Sequence, residues 1–166
     1  PGTGGTLLSG ASNLYGINKL LIGHCKLLTT IKNLRKIHEM VVTGCSDLLN
    51  IGDLEINKLS ISFAFKNFNV YGANTIKYIE IHHCKRFRNF SSLVFVEGLL
   101  LLDLAYNSSI LDVSQCCKSA TLCVLKIFTR EPISEVDLEI LQNSNIKFLS
   151  INNTKYKNNR STLLIE

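Results

Sequence analysis

Cysteine, histidine and carboxylate side chains are where chemistry would begin in this chain. The six cysteines stand at 25, 45, 84, 116, 117 and 123. A tetrahedral zinc site needs ligands that converge, commonly from C-x-x-C pairs, and no such pair occurs. The stretch "IHHC", Ile81 to Cys84, is the one local cluster of ligating residue types. The periodicity described below turns Cys84 inward and leaves His82 and His83 on or near an open face, so the three are not expected to meet on one ion. A nucleophile would need a base held beside a Ser or Cys, and no motif marks such a pair. The opening "GTGGT" has the glycines of a phosphate loop but not its lysine, and no strand precedes it. It reads as linker. Neither a cofactor nor a reaction is expected.

Three of the cysteines instead fall into a repeated frame. An aliphatic residue, two residues, an aliphatic, one residue and an aliphatic recur at Ile17/Leu20/Ile22, Ile37/Met40/Val42, Ile56/Leu59/Ile61 and Ile76/Ile79/Ile81. The frame continues at Leu99/Leu102/Leu104, Leu122/Leu125/Ile127 and Ile146/Leu149/Ile151. Every one of these positions is Ile, Leu, Val or Met, types that make up about a third of the chain, so chance does not account for the pattern. The starts at 17, 37, 56, 76, 99, 122 and 146 lie 19 to 24 residues apart. Three residues past each last aliphatic stand Cys25, Cys45, Ala64, Cys84, Asn107, Arg130 and Thr154.

The chain thus resembles the leucine-rich repeat family, whose signature L-x-x-L-x-L-x-x-N/C-x-L has this period and puts Asn or Cys at that last position. The resemblance covers roughly residues 14 to 154, and Ala64, Arg130 and Thr154 depart from it. It implies an α/β repeat solenoid: a curved parallel sheet of about seven short strands, with irregular, 3-10 or short helical segments on the convex side. Residues 14–166 would form the repeat domain, and residues 1–13 a linker, cloning remnant and N-terminal cover.

The physical reading is independent of the resemblance. The fourth and sixth positions of the frame share one face of a strand, because side chains alternate, and the next repeat offers the same face about 4.8 Å away. Each repeat therefore buries its aliphatic residues only against its neighbours. The ladder residue sits where the chain turns inward and can bond backbone groups that the turn leaves unpaired. Asn suits that task, and Cys is a compact substitute that tolerates burial. Cys25, Cys45 and Cys84 are accordingly expected to be reduced, buried and unreactive, which favours an intracellular setting. For Cys116, Cys117 and Cys123, burial on the outer side is expected, with one bridge among them left open.

A second apolar pair follows the ladder position at Leu28/Ile31, Leu48/Ile51, Phe87/Phe90, Ile110/Val113 and Ile133/Val136, with Val70 alone in the third repeat. The early repeats have room only for extended or single-turn connections. The later insertions permit a short helix over residues 134–144, with Ser134 as its cap and Glu135, Asp137 and Glu139 suited to its amino end. Terminal repeats need polar covers. The closing "NNTKYKNNRS" supplies one, and Leu14 hints at a degenerate earlier repeat.

The outward positions place Phe63, Tyr78, His82, His83, Tyr106, Phe128 and Phe148 on one surface, with Glu80, Asp103 and Lys126 among them. Aromatic residues mixed with a few charges are the composition of interaction hot spots, while cross-strand packing also favours aromatic pairs. The resemblance implies a non-catalytic module that binds a partner protein on this concave face. The alternative is a recognition or targeting domain of a larger enzyme or regulatory protein whose chemistry lies elsewhere, and the chain is expected to be a piece of a longer one. A third reading, nucleic-acid contact through Lys85, Arg86 and Arg88, draws on a net charge of +5, but the basic residues are scattered, which argues against it. The longest apolar run, "LVFVEGLLLLDL", is broken by Glu97 and falls short of the ~20 residues a membrane span needs. Of the N-x-S/T sequons at Asn89, Asn107, Asn152 and Asn159, Asn89 and Asn159 are the plausible acceptors in a secreted protein, and no glycan is expected at the ladder residue Asn107.

Overall fold

The computed structural model describes residues 6–9, 17–72, 75–89, 92–93, 96, 98–107, 113–130 and 132–156, with the backbone alone at 6–9, 113, 114 and 116. Each frame forms a short strand. These are β2 (Lys19–Gly23), β4 (Arg35–Thr43), β6 (Glu55–Ser62), β8 (Tyr78–His82), β9 (Leu101–Ala105), β10 (Val124–Phe128) and β11 (Phe148–Ile151). They stack in chain order as neighbouring parallel strands of one eight-stranded sheet, whose far edge is an antiparallel strand, β12 (Thr154–Tyr156).

The register is the one the frame demands. Leu20 pairs with Met40, Met40 with Leu59, Leu59 with Ile79, Ile79 with Leu102, Leu102 with Leu125 and Leu125 with Leu149. A second internal row runs from Ile22 through Val42, Ile61, Ile81, Leu104 and Ile127 to Ile151. Both rows are buried, except that Leu20, in the first strand, is half-buried. Parallel neighbours one strand spacing apart give each aliphatic a like partner above and below, the arrangement by which repeats hold one another.

On the other side of the early coils the chain is extended. β1 (Thr6–Ser9), β3 (Leu28–Lys32), β5 (Asn50–Gly52) and β7 (Asn69–Tyr71) form a second, four-stranded parallel sheet in that order. Residues 6–9 thus form an edge strand within the stretch read as linker and cover. Leu28, Ile31, Leu48, Ile51, Val70 and Phe87 face inward as the second apolar pair. Phe68, outside that pattern, is also fully buried and stacks on Phe87 at 4.6 Å. Phe90, Ile110 and Leu14 lie outside the described residues, as does the side chain of Val113.

Among the described residues, the helical elements on this outer side are a 3-10 segment at Val113–Lys118 and α1 (Glu135–Gln142). α1 begins as expected, with Ser134 Oγ accepting from Asp137 N (3.1 Å) and donating to Asp137 Oδ2 (2.6 Å). The pairing of Ile133 with Val136 is corrected. Val136 is 67% exposed, because helical spacing turns Leu138 and Leu141 inward in its place. The molecule is therefore a parallel-strand β-solenoid with little helix.

The last frame ends differently from the rest. Asn152 and Asn153 both have positive φ, 49° and 65°, the requirement of a two-residue hairpin turn, and β12 folds back on β11. Thr154, expected on the internal ladder, is exposed as a result, and Arg130 is exposed as well.

Candidate functional site on the open strand face

Outward residues of neighbouring strands also stand in register, so each side chain's neighbours follow from the pairing. At the entry to the strands the row is Lys19, Glu39, Lys58, Tyr78, Leu101, Val124 and Phe148. The next is Leu21, Val41, Ser60, Glu80, Asp103, Lys126 and Ser150. Gly23, Thr43, Ser62, His82, Ala105 and Phe128 follow at the exit.

Lys19, Glu39, Lys58, Glu80 and Asp103 on these rows pair across strands. Glu39 bridges Lys19 (3.0 Å) and Lys58 (3.6 Å), and Lys58 reaches on to Glu80 (2.8 Å), which also accepts from Ser60 Oγ (2.6 Å). The hydrogen bond from Lys19 holds the Glu39 carboxyl below its usual range, and that to Glu80 holds Lys58 above the usual lysine value. His82 Nε2 lies 3.2 Å from Asp103 Oδ1, and this hydrogen bond raises its pKa against the opposing effect of burial. A shallow depression of about 310 Å³ opens between these rows, lined by His38, Asn57, Tyr78, Leu101 and Lys126 together with Lys58, Glu80 and Asp103.

Where the strands end, the chain turns through a left-handed residue in successive coils: His24, Gly44, Phe63, His83 and Tyr106, with φ between 54° and 65°. Bulky residues seldom adopt this conformation. Here the inter-strand ladder continues straight through it, with Phe63 N donating to His82 O (3.2 Å), His83 N to Ala105 O (2.9 Å) and Tyr106 N to Phe128 O (2.8 Å). The neighbouring coil thus fixes each corner, and the corner aims each ring along the stack.

The rings consequently form one column. Phe63 stacks on His83 at 4.8 Å and 3°, His83 on Tyr106 at 4.7 Å and 7°, and Tyr106 meets Phe128 at 4.6 Å and 48°. These distances match the strand spacing of about 4.8 Å. Phe128 enters from one position earlier in its frame, since Thr129 is buried and its N–H donates to Asn152 Oδ1 (2.9 Å). At the other end the His24 imidazole leans over Gly44, where a Cβ would meet it at 2.7 Å. Stacking covers the ring faces and leaves the ring edges outward, with Phe63 47% and Tyr106 43% exposed.

Of the residues singled out from the sequence, Phe63, His83, Tyr106 and Phe128 come together in this rim, and Tyr78, Glu80, Asp103 and Lys126 around the depression. His82 joins the two through Asp103. Phe148 stands apart at the end of the sheet, with Lys155 Nζ 5.9 Å from its ring centre. Sequence reasoning left out His38 and Asn57, which stand one residue after the first aliphatic of their frames, within the paired β4 and β6. It also left out Lys58, whose bridging role depends on both neighbouring strands.

Behind the rim the ladder does what its residue types allow. Asn107, fully buried, accepts from Cys84 N (2.8 Å) and donates to Ile81 O (2.9 Å). Cys84 donates to His82 O (3.4 Å), and burial pushes its thiol up to about 11. Cys45 is buried too, but Cys25 is exposed, correcting the expectation that all three are sheltered. It belongs to the first of these frames, where the column of thiols begins. Cys117 and Cys123 are half-buried free thiols. On the outer surface Asn89 donates through its amide to Phe68 O (3.1 Å) and Asn69 Oδ1 (2.7 Å), so a glycan, which takes the place of one of the two N–H hydrogens, would remove one of these contacts. Asn159 lies outside the described residues.

No family model matches the chain, and no curated protein or solved structure is significantly similar to it.

Proposed function

We propose that the chain is a recognition module of the leucine-rich repeat kind, with no reaction of its own, which grips a partner protein along the open strand face. The observation that carries this reading is the aromatic rim of Phe63, His83, Tyr106 and Phe128, held rigid by stacking and by backbone bonds at every corner. A preordered apolar strip gives up little side-chain entropy on binding, and aromatic residues beside a charged surface are the usual anchors of protein interfaces. The neighbouring row of Lys58, Glu80, Asp103 and Lys126 would set the partner's orientation by charge. A partner with an extended apolar segment flanked by both signs of charge fits this surface.

The test is capture of a partner by the intact chain and by the double variant Tyr106→Ala/Phe128→Ala, with circular dichroism confirming that both fold. Loss of capture with the fold intact supports the reading. Undiminished capture by the variant assigns the rim to packing alone.

A further inference from the structure

Two thiols of adjacent coils meet at the first corner of the solenoid. β2 and β4 pair in register as far as Gly23 opposite Thr43, and the bond from His24 N to Thr43 O (2.8 Å) carries the alignment into the turn. Two residues farther on, Cys25 and Cys45 stand side by side, their Cα atoms about one strand spacing of 4.8 Å apart. A disulfide spans roughly 4.4–6.8 Å. The side chains point alike, Cys25 Sγ donating to Gly23 O (3.4 Å) and Cys45 Sγ to Thr43 O (3.7 Å). The Cys45 thiol is also within hydrogen-bonding reach of the thiol and the amide of Cys25.

The two differ in access. Cys25 is exposed and Cys45 is buried behind it. Ala64 separates Cys45 from Cys84, so oxidation cannot pass further along the ladder. We propose that Cys25 and Cys45 form a thiol oxidation site, which a peroxide closes to a disulfide stapling the first coil to the second.

The exposed Cys25 thiolate attacks one oxygen of hydrogen peroxide, the O–O bond breaks, and Cys25 becomes a sulfenic acid as one water leaves. Cys45 sulfur then displaces the sulfenic oxygen. An S–S bond forms, and that oxygen departs as a second water. In total the two thiols give up two electrons and two protons, and the peroxide is reduced to two waters. Burial keeps Cys45 from first contact with the oxidant and holds its thiol above its ordinary pKa, so its attack in the second step relies on its place beside Cys25. The bond encloses residues 26–44 and ties β2 to its neighbour, at the end of the internal row where Leu20 is half-buried. A closed loop of this length restrains local opening, so hydrogen exchange of the β2 amides should slow on the order of 100-fold.

The experiment treats the reduced chain with hydrogen peroxide, alkylates it and maps the tryptic peptides, with Cys25→Ser as control. A linked pair of peptides 20–26 and 37–58, a mass lower by two hydrogen atoms, and slowed β2 exchange that is absent from Cys25→Ser are expected. Cys25 recovered as sulfinic acid, joined to a second copy of the chain, or linked to any cysteine other than Cys45 overturns the proposal. So does a linked pair that leaves β2 exchange unchanged.

Discussion

Replacing Asn107 by Ala removes a side chain that satisfies two buried backbone groups at once. Cys84 N–H loses its 2.8 Å acceptor and Ile81 C=O loses its 2.9 Å donor, at a residue only 2% exposed. A buried polar group left without a partner costs about 1–3 kcal/mol, so two together give about 2–6 kcal/mol. For a chain of this size that lowers the melting temperature by about 5–20 °C. Asn67→Ala is the matched control. Asn67 also accepts a backbone N–H, from Arg88 (2.8 Å), but it is exposed. Water can replace the lost bond there, and the cost should stay near 1 kcal/mol or less. Urea unfolding followed by circular dichroism measures both, with an unchanged m-value showing that the unfolded state is unaffected. An Asn107→Ala variant no less stable than Asn67→Ala would refute the claim that the ladder works by satisfying buried backbone.

Two further outcomes follow from the site. In the reduced native protein, thiol titration should label Cys25 quickly while Cys45 and Cys84 remain blocked until unfolding; slow labelling of Cys25 or rapid labelling of Cys84 would contradict the burial. The pKa of His82 is raised by Asp103 on the folded chain, so this contact adds stability that is fully present below the unfolded value of about 6.5 and is lost as pH rises through the folded value. Urea midpoints of the wild type and His82→Gln should therefore differ most at acid pH and converge in alkali. A constant difference across that range would mean that the pair does not titrate as described.

The internal rows were legible in the sequence because the same three aliphatic positions recur in every coil, and a parallel register that stays constant across the frames brings like to like. The ends were not legible, because a periodic pattern says nothing about where neighbours are missing. Cys25 holds the same place in its frame as Cys45 but lies at the start of the thiol column. Thr154 satisfied the spacing, but Asn152 and Asn153 form a hairpin that takes the chain out of the coil. At Ile133 and Val136 two periods overlapped, and the capped helix buries Leu141 and packs Leu138 on the core while Val136 faces out. The aromatic positions of the rim were visible as outward residues. Their stacking was not, since it depends on a left-handed corner that residues such as Phe63 and Tyr106 adopt only where the next coil holds them.

The most direct test of the stacked-coil account is a methyl nuclear Overhauser spectrum of the labelled chain. It should contain contacts linking Leu20 to Met40, Met40 to Leu59, Leu59 to Ile79, Ile79 to Leu102, Leu102 to Leu125 and Leu125 to Leu149, each partner one strand spacing from the next. A spectrum in which Met40 or Leu102 instead contacts outward residues of the neighbouring strand, such as Leu21 for Met40 or Val124 for Leu102, would contradict the account.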